Sequence, residues 1–181
     1  MSKLLIVVAV LTLMVIGCNN HSTSASKADT TTAGSKMASQ MDMSSDNKAK
    51  ALAVEEGFNN HDGNAVLKDA APDVIDYGDG STPPAKGIDS VKAFLQSYFT
   101  AFPDMKGENF LAIAEGNHVA VFGDWSGTFK GEAMGMKPTG KQFKVKDVDL
   151  FTFNDKGQIT EHRSVQSTQT IMSQVGASMK K

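Results

Sequence analysis

The sequence predicts an α+β domain in which helices from its first half pack on one face of a curved, mainly antiparallel sheet built from its second half. Three observations carry this. Residues 88–102 place Ile88, Val91, Phe94, Leu95, Tyr98, Phe99 and Phe102 at helical spacing on one face. Residues 118–129 and 143–153 alternate with the period of a strand. The helical patterns precede a run of strand patterns, and that order favours helices segregated to one side of an antiparallel sheet. At 181 residues, 40% of them apolar, with a formal net charge of −2, the chain suits one domain of ordinary size.

The chain opens on an almost unbroken apolar run at residues 4–16, preceded by Lys3. The run is shorter than the roughly 20 residues that span a bilayer, which fits a signal-peptide core. It ends in Val15-Ile16-Gly17-Cys18, which resembles the bacterial lipobox, where a small residue precedes a cysteine that is acylated after cleavage. The expectation is a signal peptide over 1–17, a lipid on Cys18 and a protein anchored in the bacterial cell envelope. Cys18 is the only cysteine, so no intrachain disulfide forms. Residues 18–46 are then the acylated cysteine and a flexible tether, because 19–46 hold no aromatic and no branched aliphatic side chain with which to offset ordering entropy. Met37, Met41 and Met43 in this stretch read as incidental.

The folded domain is expected over 47–181. Residues 47–60 read as a helix with a partial stripe of Leu52, Val54, Glu55 and Phe58, broken by Asn59-Asn60-His61-Asp62-Gly63. Residues 64–70 read as a short second helix stopped before Pro72, and Val74 to Tyr77 as a short strand. Residues 78–84 form a loop, and the long helix of 88–102 ends at Pro103. Strands follow at 109–115, 118–129, 143–153 and 158–166, with turns at Gly116-Asn117 and Asn154-Asp155-Lys156-Gly157 and a closing helix at 169–175. The loop at 131–140, with Met134 and Met136, is either a lid or a subunit contact, since methionine adapts to varied partners.

Several function classes drop out. A sequence pI near 6.1 does not provide the basic surface that nucleic acid requires. Arg163 is the single arginine, so no clamp of several arginines on phosphate can be built. His21, His61 and His118 lack partners at metal-ligand spacing, Asp79 and Asp89 do not make a calcium loop, and Gly78-Asp79-Gly80 is turn chemistry. Neither a metal nor an organic cofactor is expected.

Residue pattern alone singles out Asp149. It shares strand parity with Phe143, Val145, Asp147, Phe151 and Phe153; if that face is the core face, Asp149 is a carboxylate among aromatics, and burial raises such a pKa toward the range of a general acid or base. The alternative is that Val148 and Leu150 face inward and both aspartates are solvated. His162 shares parity with Thr160, Ser164 and Gln166, while Ile159, Glu161, Arg163 and Val165 face the other way. That polar face is a pocket wall or a solvated surface. His162 titrates near physiological pH and is placed to pair with Asp149 across neighbouring strands, so Asp149 and His162 are the catalytic candidates. Tyr77, Trp125 and Phe129 are candidate walls of a pocket for a flat apolar ligand, with Ser164 beside them, or else plain core.

An ordered set of segments carries a family resemblance: Phe102-Pro103-Asp104, Glu115-Gly116-Asn117-His118-Val119-Ala120-Val121, Gly127-Thr128-Phe129-Lys130-Gly131, Gly135-Met136-Lys137-Pro138-Thr139-Gly140, Phe151-Thr152-Phe153, Gly157-Gln158-Ile159 and Glu161-His162-Arg163. Over about residues 47–175 it resembles the SnoaL-like polyketide cyclase (ester cyclase) family of the nuclear transport factor 2-like superfamily. The resemblance implies a cone-shaped α+β barrel with a pocket between sheet and helices, a homodimer or higher homo-oligomer, and ring closure by intramolecular aldol chemistry without metal or cofactor. It also implies a catalytic carboxylate two residues after the histidine of the last strand; here that position is Ser164. A family histidine on the preceding long strand corresponds to Asp149. The expectation is therefore an envelope-anchored protein that binds a small hydrophobic carbonyl or polyketide-like ligand, with acid/base chemistry of cyclase or isomerase type. The alternative is a non-catalytic ligand-binding or oligomerising lipoprotein module.

Overall fold

In the computed structural model of the chain, residues 30–132, 135–166 and 168–177 are described. The expected signal peptide and Cys18 lie outside them. Helix α1 spans Thr30–Asn59, α2 Gly63–Val66, α3 Ile88–Ala101 and α4 Thr168–Val175. Six strands, β1 (Ala70–Asp76), β2 (Ala85–Lys86), β3 (Lys106–Glu115), β4 (His118–Thr128), β5 (Gln142–Phe153) and β6 (Ile159–Ser164), form one sheet in the order β2-β1-β6-β5-β4-β3. All neighbours are antiparallel except β1 and β6, which run parallel.

Helix α1 begins well before residue 47, so the stretch 30–46 is not the unstructured tether that its composition suggested. The Ala, Met, Lys and Gln residues there favour helix, and extending a helix already nucleated adds a backbone hydrogen bond for each residue fixed. The buried stripe of α1 is Asn47, Ala51 and Glu55 at fourfold spacing, joined by partly buried Val54 and Phe58, whereas Leu52 is exposed. Asp62 caps α2 by accepting from the N–H groups of Asn64 and Ala65. Gly57 is where α1 and α2 touch: a Cβ there would sit 2.8 Å from the backbone nitrogen of Val66.

The long strands alternate as expected. On β4, Val119, Val121, Gly123, Trp125 and Gly127 are buried. On β5, Phe143, Asp149, Phe151 and Phe153 are buried while Leu150 is exposed, so the odd positions form the core face. Two irregularities redirect side chains. In β3 an extra residue between Glu108 and Leu111 bulges the strand, with Asn109 at φ +58°, and Phe110 packs on Trp125 with ring centroids 5.6 Å apart. In β6, Phe153 pairs Ile159 and Thr152 pairs Glu161, so Thr160 is the bulged residue. That bulge overturns strict alternation: Ile159 and His162 share the inner face.

The interior falls into two apolar clusters. One gathers Phe102, Phe129, Phe143, Met136, Ile171 and Met172 under α4. The other gathers Val66, Val74, Val91, Leu95, Val119, Val121, Phe151 and Ile159 beneath α3. Met136 is 7% exposed and belongs to the first cluster, so this part of the 131–140 loop is core and neither lid nor contact surface; Met134 lies outside the described residues.

Candidate active site

The two clusters leave a cavity of about 140 Å³ between the inner face of the sheet and helices α1, α3 and α4. Its upper wall is Val54 and Phe58 of α1 with Val91, Phe94, Leu95 and Tyr98 of α3. Four of the seven residues of the apolar stripe at 88–102 are thus cavity wall, and Phe94, 43% exposed, stands at the mouth. Asp79, Gln166, Thr168 and Ile171 border it too, and Asp79 fastens α4 by accepting from the Thr168 N–H at 2.6 Å.

The polar groups gather on the floor. His162 lies between two carboxylates: Nδ1 is 2.9 Å from Asp76 Oδ1 and Nε2 is 3.0 Å from Asp149 Oδ1. The sheet sets this geometry. Asp76 on β1 is level with His162 in the parallel pair, and Phe151, two residues from Asp149, is level with it on the other side. The Phe151 ring supports the imidazole, with centroids 5.1 Å apart. Asp76 and Asp149 are each 8% exposed.

Protonation follows from the surroundings. Burial works against a charged His162, but hydrogen bonds to Asp149 and Asp76, and their charges, hold its pKa well above the usual imidazole value. Both ring N–H groups then donate, one to each carboxylate. Burial pushes Asp76 up, yet the hydrogen bond from His162, its charge and the Gly78 N–H outweigh it and keep the carboxyl low. For Asp149 burial prevails over the opposing pull of His162, and its pKa is raised. Glu55 is 2% exposed, and its Oε1 is buried without a hydrogen-bond partner. Burial, then the charge of Asp149, lift it well above the ordinary carboxyl range. Burial likewise drives the Tyr98 phenol further into the alkaline range, so it remains a neutral donor.

Of the residues singled out from sequence, the fold brings Asp149, His162, Trp125 and Ser164 to the cavity. Ser164 gives its proton to Asp147 Oδ2 at 2.6 Å and does not meet His162. Asp147 also accepts from the Val148 and Gln166 N–H groups, so the pair braces the end of β6. Tyr77 is not on the cavity. It follows Asp76 and faces the opposite side of the sheet, where the Arg163 guanidinium stacks 3.7 Å from its ring centroid. Phe129 is not on it either: it lies past the end of β4, fully buried against Phe102 at 5.5 Å. Asp76 was missed as a site residue, because a short strand next to a turn gives no sign that it will lie parallel to the last strand. Glu55 falls in the stripe of α1, where its sequence position alone gives it no role.

Among the described residues, no group of three or more His, Cys, Asp and Glu side chains is arranged to hold a metal ion. Nor is any helix among them long and apolar enough to cross a membrane.

Comparison with known proteins gives one family. The model of the SnoaL-like polyketide cyclases matches residues 49–175. A provisionally named SnoaL-like polyketide cyclase from Jannaschia sp. CCS1 superposes with a TM-score of 0.67 at 25% identity, covering 75% of this chain and 95% of that one. AclR of Streptomyces galilaeus, provisionally described as a hydroxylase, gives 0.62 at 28% identity over 74% and 97%. An NTF2-like protein of unknown function from Burkholderia pseudomallei K96243 gives 0.62 at 22% over 73% and 98%, and shares the fold. No curated protein matches the chain.

Proposed function

Because the chain belongs to the SnoaL-like polyketide cyclase family, we propose that it binds a small hydrophobic carbonyl compound and moves a proton at the carbon next to the carbonyl. The observation that carries this is the Asp76–His162–Asp149 array on the floor of an apolar cavity. Asp149 takes the proton. Burial makes it more basic than an ordinary carboxylate, and His162 anchors one of its oxygens while the other is left for substrate. His162 orients Asp149 and stabilises its charge, and Asp76 holds the imidazole from behind. Tyr98 and Trp125 carry further donors on the cavity wall, suited to a carbonyl oxygen that gains charge. Asp149 then returns the proton, to another carbon in an isomerisation or to the new alkoxide in an aldol closure. The family carboxylate, absent at Ser164, is replaced in this reading by Asp149.

The test is to incubate the full chain with a host extract in heavy water and follow deuterium uptake by mass and retention time. Uptake into a carbonyl metabolite by wild type, lost in Asp149→Asn, supports the reading. A compound retained by both proteins without exchange makes the protein a carrier.

The same proposal places the protein in the cell envelope through a lipid on Cys18, on the strength of the Val15–Cys18 motif and the apolar run before it. It also includes self-association. Leu111 and Phe122 pair across β3 and β4, Ala120 pairs Leu150 across β4 and β5, and the exposed Leu111, Ile113, Phe122, Leu150 and Val165 lie on the sheet face away from the helices. A second copy is the occupant proposed for that face.

A further inference from the structure

The charge of the cavity is lopsided. Asp76, Asp79, Asp147 and Asp149 border it, against His162 as the one cationic side chain, and no lysine or arginine lines it among the described residues. His162 is already shared between two of those carboxylates. Asp149 is 8% exposed, and among the described residues only His162 donates to it, at Oδ1. No described residue donates to its Oδ2, so on the cavity floor that oxygen is an acceptor open to a ligand. Glu55 behind it is a second carboxyl with an unmatched oxygen. Phe94, Tyr98 and Trp125 supply aromatic faces around the same volume, and such faces attract cations. The volume, about 140 Å³, is near that of a cavity that admits one six-membered ring.

From this geometry we infer that the cavity selects a ligand with one apolar ring and a protonated amine, whose N–H donates to Asp149 Oδ2, and that it rejects carboxylates. This deepens the reading of the cavity as a ligand pocket and rests on it, but it does not depend on turnover. An amine held at Oδ2 occupies the oxygen that the proposed proton transfer uses, so the amine-bearing compound is a ligand of the pocket and not the substrate of that step. An anionic ligand would meet four carboxylates with no free cation to offset them.

Trp125 is the only tryptophan in the chain and lines the cavity, so its fluorescence reports occupancy directly. The probes are cyclohexylmethylamine, cyclohexylmethanol and cyclohexanecarboxylate, three ligands of one shape, titrated into the full chain at neutral pH. The amine is expected to bind at least about tenfold more tightly than the alcohol, whose hydroxyl can also donate to Asp149 but brings no positive charge to pair with it, and the carboxylate not to bind. Asp149→Asn should bring amine and alcohol within about twofold of each other. Asp79→Asn, which keeps an acceptor for α4, should weaken the amine alone and by less. Equal binding of amine and alcohol, preferred binding of the carboxylate, or no binding of any probe overturns the inference. If the amine preference holds and no metabolite exchanges deuterium, the proton-transfer reading fails by itself.

Discussion

His162 concentrates the chemistry of the molecule because it is bonded on both sides. Replacing it with alanine leaves Asp76 and Asp149 facing each other without their shared cation. Breaking a buried pair in this way costs about 3–5 kcal/mol, so His162→Ala should lose stability as well as activity. Asp149→Asn keeps the shape and is expected to lower turnover by roughly 10²–10⁴-fold, the range for losing a general base, with ligand binding measured in parallel to separate the two effects. The pH dependence follows from the directions of the shifts. His162 has a folded pKa above its unfolded one, so its contribution is full below the unfolded value and fades as pH rises through the folded value. Glu55 and Asp149 are also raised, and ionising them in the fold is unfavourable at higher pH. The two carboxyls lower the melting temperature as pH rises from the ordinary carboxyl range through their raised values, and His162 lowers it further as pH rises above the ordinary imidazole value, which calorimetry across pH reads out. Glu55→Met removes a buried carboxyl with an unmatched oxygen, and should raise neutral-pH stability by about 1–3 kcal/mol and flatten that slope. A lower melting temperature in this variant would mean that Glu55 has a partner in solution.

At the scale of elements, the cavity depends on how closely α1 and α2 approach each other and on the bulge in β6. Gly57→Ala tests the first. Alanine is the better helix former by about 1 kcal/mol, so on propensity the change would stabilise α1. The Cβ would instead press on the backbone of Val66 and Ala65 at 2.8 and 3.1 Å, and backbone yields little. The expected outcome is a net loss of about 1–3 kcal/mol in denaturant unfolding, as for other overpacked sites. The bulge at Thr160 is what puts both Ile159 and His162 on the inner face. Deleting Thr160 would restore regular pairing and turn one of them outward.

At the scale of the whole molecule, the proposed self-association rests on the outer sheet face and the proposed lipid anchor on Cys18. Five large apolar side chains, from Val165 at 63% exposure to Leu150 at 39%, share that face or its edge. Leu111→Glu with Ile113→Glu should shift sedimentation from dimer to monomer without moving Trp125 fluorescence, since neither residue lines the cavity. Cys18→Ser should abolish incorporation of a labelled fatty acid and release the protein from the membrane fraction; unchanged labelling would end the lipoprotein reading.

The class of fold and most of its elements can be read from residue order, because helical and strand periodicities are local properties of the chain. The stripe of 88–102 and the alternation of 118–129 and 143–153 were legible for that reason, as was the inward face of Asp149 as one of two choices. The pairing of Asp149 with His162 could also be anticipated, since antiparallel neighbours joined by a short turn must lie side by side. The non-local contacts came from the fold alone. Asp76 reaches His162 because β1 adds in parallel to the last strand, a pairing across 86 residues of sequence that no local pattern encodes. Tyr77 and Phe129 left the site for the same reason: hydrophobicity says that a ring is buried, but only the register and the ends of strands say against what.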